Sequence, residues 1–194
     1  MSLFFETIRV QNQTIYNIKY HNKRLNATIE QNFGIKSSID LNNFITPPKT
    51  DELYRCKVIY DKEIKSIHFY PYTPKNIQSF KIIRSNIKYN YKYADRSSIE
   101  TLFLQREFAD DILIVNKDDY LKDTSIANIA LKIDGIWHTP KKPLLKGTMR
   151  EKFLEENILK LSDLKVKDIE KIESFAIMNA MIGFKIVKNP KFII

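Results

Sequence analysis

Cysteine occurs once, at Cys56, so no disulfide forms within the chain. With one thiol and no export pattern, the expected compartment is the cytoplasm. The opening stretch MSLFFETIRV has no basic flank and no small-residue cleavage site; it reads as a strand, not a signal peptide. No apolar run approaches the ~18–20 residues of a membrane span, and no membrane partner is expected. Only four glycines occur, at 34, 135, 147 and 183, and none builds a Walker loop or a GxGxxG turn. HExxH, CxxC and GxSxG are also missing, which excludes the common zinc-protease, dithiol and nucleophile-elbow chemistries. The three histidines, His21, His68 and His138, are far apart with no ligand spacing, so no metal site is expected.

What is present bounds the answer further. The 194 residues are 43% hydrophobic, enough for one compact domain or two small ones. The net charge is +9. The lysines are interspersed with acids, as in DKEIK and KVKDIEKIE, so they read as a solvated surface rather than a nucleic-acid footprint. A basic surface around a site for small polyanions also fits.

Leu3–Val10 and Thr14–Ile18 read as a hairpin about a Gln-Asn-Gln turn. The spacing of Leu25, Ile29 and Phe33 predicts a helix over Tyr20–Gln31. Tyr54–Tyr60 and Ile64–Tyr70 form a second predicted hairpin, and Pro71-Tyr-Thr-Pro74 breaks the pattern. The predicted division is a small α+β domain over 1–75 and a second α+β domain over 76–194. In the second, Phe80–Ile83 is a strand. Ser97-Ser-Ile-Glu100 predicts a capped helix running to about Phe108. Strands follow at Ile112–Val115, Ile126–Ile133 and Ile136–Thr139, the last two joined by an Asp134-Gly135 turn. A helix is predicted from Thr148 with Phe153, Leu154, Ile158 and Leu161 on one face, then a final buried strand at Phe175–Ala180. Strands and helices mix without strict alternation, so the fold class is α+β.

Several chemical signals are individually weak. Gly147-Thr-Met-Arg150 opens a helix, where backbone N–H groups favour an anion and a glycine admits a phosphate; an ordinary loop-to-helix turn reads the same way. Asn179 ends an apolar strand, where it either binds a phosphate oxygen or caps a loop. Asp123-Thr-Ser-Ile-Ala-Asn128 places a carboxylate before a buried strand, as a turn would too. Lys92 lies between Tyr91 and Tyr93, which can partly bury an amine and lower its pKa, as a Schiff-base lysine requires. A snorkelling surface lysine is the simpler reading of Lys92 alone.

These pieces occur in one order that resembles the fold-type IV pyridoxal-phosphate enzymes: branched-chain and D-amino acid aminotransferases and aminodeoxychorismate lyases. His21-Asn-Lys-Arg24-Leu25 is similar to the family's H-x-x-R-L. Lys92-Tyr-Ala-Asp-Arg96 is similar to its imine-lysine stretch. Asp110-Asp-Ile-Leu-Ile-Val115 with Asp123-Thr-Ser-Ile-Ala-Asn128 is similar to its strand followed by E-x-S-x-x-N. Trp137-His-Thr-Pro140, Leu144-Leu145 and Gly147-Thr-Met-Arg150 resemble "T-P … L-x-G-I-x-R". Met178-Asn-Ala-Met181 resembles the lyases' "N-A-L". The match is dense over residues 92–183 and sparse before them. Two departures stand out: Asp123 replaces the usual glutamate, and the N-terminal half is abbreviated.

The resemblance implies a two-domain D-amino acid aminotransferase-like architecture with a shortened N-terminal domain. It implies pyridoxal 5'-phosphate as cofactor, held as an imine on Lys92, the catalytic residue. Asp123 would keep the ring nitrogen protonated, one methylene short of the family's reach. Arg24 would grip the phosphate, with Thr148, Met149 and Asn179 completing its cup. A homodimer is expected, with an amino substrate and no nucleic-acid partner. The motif spelling is closest to 4-amino-4-deoxychorismate lyase, which releases pyruvate and forms 4-aminobenzoate for folate synthesis. A class IV aminotransferase acting on branched-chain or D-amino acids, and a non-catalytic relative, are the alternatives. Arg55 and Lys57 are candidate carboxylate binders, or simply outward-facing strand residues.

Overall fold

The computed structural model describes residues 2–194. The chain divides into two units: Met1–Pro74 with Tyr91–Asp95, and Lys75–Asn90 with Arg96–Ile194.

The first unit holds β1 (Phe4–Gln11), β2 (Thr14–Ile15), α1 (Ile18–Phe33), β3 (Tyr54–Tyr60) and β4 (Ile64–Pro71). They form an antiparallel sheet in the order β2-β1-β3-β4. Successive strand side chains point to opposite faces. Phe4, Ile8 and Val10 of β1 therefore share a face, and they bury against Leu25 and Ile29 of α1 and Cys56, Val58 and Tyr60 of β3. Full burial of side chains this size stabilises by roughly 1.5–3 kcal/mol each. The expected Thr14–Ile18 strand stops at Ile15, because Asn17 turns into the left-handed region (φ 56°) and α1 starts at Ile18. Gly34 ends α1 in the left-handed conformation, its N–H on the Glu30 carbonyl at 3.0 Å.

The second unit contains β5 (Ser79–Arg84), α2 (Ser97–Phe103), β6 (Asp111–Val115), β7 (Leu121–Thr124), β8 (Asn128–Ile133), β9 (Ile136–Pro140), α3 (Thr148–Glu155), β10 (Leu159–Ser162), β11 (Ser174–Asn179), β12 (Gly183–Val187) and β13 (Lys191–Ile193). The sheet path runs β10-β9-β8-β7-β6-β5-β13, with β11 pairing β8 and β12. Every residue of β6 is buried, as its continuous apolar run suggested. The core gathers Phe80, Leu113, Val115, Ile129, Leu131, Phe175 and Ile177. The β8–β9 turn has both central residues at positive φ, Asp134 at 49° and Gly135 at 73°, the conformation the Asp-Gly pair favours.

Four expectations change. Ser97 is the first residue of α2 rather than its cap; Arg96 is the N-cap and makes no side-chain capping bond. The α-helix ends at Phe103 and tightens into a 3-10 turn over Leu104–Arg106. Helix α3 ends at Glu155; Asn157 takes φ 57°, so Ile158 and Leu161 leave the helical face and stay exposed. The strand at Ser174–Asn179 is not final, since β12 and β13 follow.

The expected boundary near residue 75 placed Lys92 in the second unit. The segment Tyr91–Asp95 instead belongs to the first. It lies along β1: the Phe5 N–H donates to the Lys92 carbonyl at 2.9 Å, the Ala94 N–H donates to the Leu3 carbonyl at 2.8 Å, and Phe4 bridges Tyr93.

Candidate active site

In the first unit Lys92 follows that edge pairing. Tyr91 and Tyr93 flank it in sequence but pack their rings on Phe4, at 6.0 and 5.3 Å. The Lys92 ammonium lies over Phe5 instead, 4.5 Å from the ring centroid. The aromatic neighbour of the amine is therefore Phe5, not the tyrosines. Lys57 of β3 places its ammonium over the same ring at 5.3 Å. Arg55 is exposed and lies over Tyr70 at 5.2 Å.

Arg24 sits on α1, three residues beyond His21, so both present to β1. Between them lies a residue the sequence reading missed. Glu6 is fully buried on the core face of β1. It accepts from Arg24 Nε at 2.8 Å and Arg24 Nη2 at 2.5 Å, a two-pronged fork. His21 Nδ1 lies 2.6 Å from Oε2, the same oxygen that Arg24 Nη2 reaches. Burial alone would raise the Glu6 carboxyl; the Arg24 guanidinium and the His21 ring overcome it and hold it down at about 2. Glu6 is thus a carboxylate, and Nδ1 carries the proton that it accepts. Burial pushes the His21 imidazolium below its usual range, with Arg24 and Lys92 adding like charge. The buried Nε2 of His21 finds no hydrogen-bond partner among the described residues.

In the second unit Asp123 lies near the end of β7 and is buried. Its Oδ1 accepts from Asn128 Nδ2 at 2.7 Å and its Oδ2 from the Leu145 N–H at 2.9 Å. Burial raises its carboxyl to about 6, opposed by those donors and by the nearby Arg150 guanidinium. At pH 7 it is mostly ionised. Arg150 is itself buried on α3, with Nη2 donating to the Pro140 carbonyl at 2.8 Å.

Thr148 and Met149 open α3 and are buried, Met149 within a small core with Ala130, Leu159 and Met178. Gly147 is the N-cap and contributes no side-chain cap. The first turn of a helix lacks intrahelical acceptors for its N–H groups. A Cβ on Gly147 would meet Asn128 Oδ1 at 2.0 Å. Asn179 ends β11 as a turn cap: its Oδ1 accepts from the Met181 and Ile182 N–H groups at 2.9 and 3.1 Å, and its Nδ2 donates to the Ile126 carbonyl at 3.2 Å.

The first unit therefore groups Lys92, Arg24, His21 and Glu6. The second groups Asp123 with the start of α3 through Asn128 and Leu145. The Glu6 signal was available: a lone acid between Phe4 and Ile8 on an inward face, opposite a helix with His and Arg three apart. Arg150 was marked only as the arginine that closes Gly147-Thr-Met-Arg150, with nothing to show that it lies near Asp123. Among the described residues no cluster of three His, Cys, Asp or Glu suits a metal ion.

Taken unit by unit, the groups are of the kinds a phosphate-bearing pyridine cofactor needs. The first unit has a primary amine suited to a carbonyl and a guanidinium suited to a phosphate; the second has a buried carboxylate suited to a ring nitrogen and a helix start without a side-chain cap.

Residues 91–189 match the family model of the class IV amino-transferases. The chain belongs to that family. An uncharacterized protein of Haemophilus influenzae is 35% identical over 185 residues, 92% of this chain and 97% of that protein. A Haemophilus somnus structure, described as a candidate 4-amino-4-deoxychorismate lyase, superposes with a TM-score of 0.86 at 30% identity, covering 94% of this chain and 98% of that one. A hypothetical aminotransferase of Mycobacterium tuberculosis, solved in a PLP-bound form, has the same fold (TM-score 0.80, 14% identity, 98% of this chain and 81% of that one). The α+β architecture of class IV aminotransferases and lyases is thus the fold of this chain.

Proposed function

We propose that this family member is a pyridoxal 5'-phosphate-dependent 4-amino-4-deoxychorismate lyase, releasing pyruvate and forming 4-aminobenzoate. One observation carries the choice of reaction: the likeness to the Haemophilus somnus protein spans nearly the whole of both chains. When bound, the cofactor supplies an electron sink that stabilises negative charge on the substrate carbon.

The chain's own residues do the rest. Lys92 Nζ holds the cofactor and, once released, carries the proton at the substrate carbon. The Phe5 ring lies against this amine, 4.5 Å from centroid to nitrogen. Arg24 binds the phosphate, its planar group already oriented by Glu6. Asp123, ionised at pH 7, keeps a proton on the ring nitrogen. The amides of Thr148 and Met149 add donors to the phosphate, as does the carboxamide of Asn179. Lys57, sharing the Phe5 ring with Lys92, takes a substrate carboxylate. The same reading extends to a cytoplasmic homodimer, for which light scattering at twice the chain mass is the expected result.

The protein loaded with PLP and given aminodeoxychorismate is expected to yield 4-aminobenzoate and pyruvate. Keto acid formed from an amino donor, with no 4-aminobenzoate, overturns the lyase in favour of a transaminase. A colourless protein with no borohydride-trapped adduct overturns the cofactor reading itself and leaves a non-catalytic relative.

A further inference from the structure

We infer that Asn128 is a positioning residue that ties Asp123 to the loop before α3, so that carboxylate and helix start hold each other in place. The side chain has three polar bonds and all are spent on this joint. One Nδ2 hydrogen goes to Asp123 Oδ1 at 2.7 Å and the other to the Leu145 carbonyl at 2.7 Å. Its Oδ1 accepts from the Gly147 N–H at 3.1 Å. The Leu145 N–H closes the circuit on Asp123 Oδ2 at 2.9 Å. Flipping the amide would set its oxygen against two acceptors and its nitrogen against a donor, so the partners fix its orientation.

The backbone fits the same purpose. The pairing of β7 with β8 is the single step Asp123↔Asn128. Gly147 packs so closely on Asn128 Oδ1 that a Cβ would approach to 2.0 Å, and the group that would have to yield is the Asn128 carboxamide, held by its bonds to Asp123 and the Leu145 carbonyl. Asn128 is buried, so each broken bond leaves an unpaired group out of water's reach. Aspartate would keep the bond to Gly147 but oppose a second carboxylate to Asp123. Alanine would remove a donor from Asp123 and strand the Leu145 carbonyl. The charges nearest Asp123 are Arg150 on α3 and Lys122 beside it on β7.

The test uses the full chain with Asn128→Ala, Asn128→Asp, Gly147→Ala and the double variant Asn128→Ala/Gly147→Ala. Folding is checked by circular dichroism and thermal melting. Two readouts follow: Asp123 titration by carboxyl NMR on the cofactor-free protein, and equilibrium binding of pyridoxal 5'-phosphate by absorbance. The cofactor arm rests on the proposed function; the titration arm does not. Asn128→Ala should raise the Asp123 midpoint by about one unit and weaken PLP about tenfold. Asn128→Asp should raise the midpoint further. Gly147→Ala leaves both side chains chemically intact yet should shift both readouts in the same direction, and it carries the test if the Asn128 variants do not fold. The double variant should be no worse than its stronger single parent. Unchanged midpoints with binding within twofold, or losses that simply multiply, overturn the inference. A wild-type protein that does not bind PLP overturns the cofactor reading, and the titration then decides on Asn128 alone.

Discussion

Replacing Glu6 with glutamine tests the polar cluster of the first unit. Glu6 is fully buried and takes three charge-assisted bonds, two from Arg24 and one from His21. Its carboxyl is held down from 4.5 to about 2. At ~1.4 kcal/mol per unit, that corresponds to about 3 kcal/mol of folding stability. The depressed pKa fixes the direction. This stability is complete above about pH 4.5 and is lost as pH falls toward 2. Removing one partner of a buried pair costs roughly 3–5 kcal/mol, so the two arguments agree in size. The second acts at neutral pH, because glutamine leaves the Arg24 charge unmatched. Urea denaturation of the cofactor-free protein, at steps from pH 7 to pH 3, measures both. Glu6→Gln should lose at least about 3 kcal/mol at pH 7 and flatten the decline below pH 4.5. A variant within about 0.5 kcal/mol of the parent at pH 7, with the same acid limb, would falsify the assignment of Glu6 as the charge partner of Arg24.

Three further outcomes are expected. Lys92→Ala should melt close to the parent temperature yet show neither visible absorbance with PLP nor a borohydride-trapped adduct; a trapped adduct of equal yield would move the cofactor bond to another lysine. Arg24→Gln should weaken PLP by ~1.5–3 kcal/mol, or roughly 10- to 150-fold, read by absorbance titration, and phosphate-free pyridoxal should show no such loss. Asp123 has the opposite pH sign to Glu6. Burial raises its folded pKa to about 6, so its contribution is complete below about pH 4 and falls as pH rises through 6. Asp123→Asn should erase that decline in urea titrations between pH 4 and 6, and a decline of unchanged slope would refute it.

The sequence carried the second unit further than the first. β6 and the Asp134-Gly135 turn are local: a run of apolar residues and a pair suited to positive φ are visible without tertiary context. Helix α3 was legible at its start but not at its end, because Asn157 stops it and Ile158 then mimics helical spacing. Ser97 looked like a cap because hydroxyl and acid have the right spacing, yet the chain enters the helix one residue earlier. The placement of Lys92 was not readable at all. It depends on backbone hydrogen bonds to Leu3 and Phe5, nearly ninety positions away, and no side-chain pattern encodes such pairing. The alternation of β1 puts Glu6 on the inward face between Phe4 and Ile8, but its partners Arg24 and His21 lie on a helix, and no spacing along β1 names them. Asn179 illustrates ambiguity of type: the amide that a phosphate could use is the amide that caps its turn.

The return of residues 91–95 to β1 has a consequence for dissection. The first unit is not a stretch of chain that can be cut free. A fragment ending at Pro74 would leave Leu3, Phe4 and Phe5 without their partners Ala94, Tyr93 and Lys92. A fragment beginning at Lys75 would carry the lysine with nothing to lay it against. A single protease nick between residues 75 and 90 breaks the thread but not those pairings. The nicked halves should therefore stay associated through native gels and separate only on denaturation.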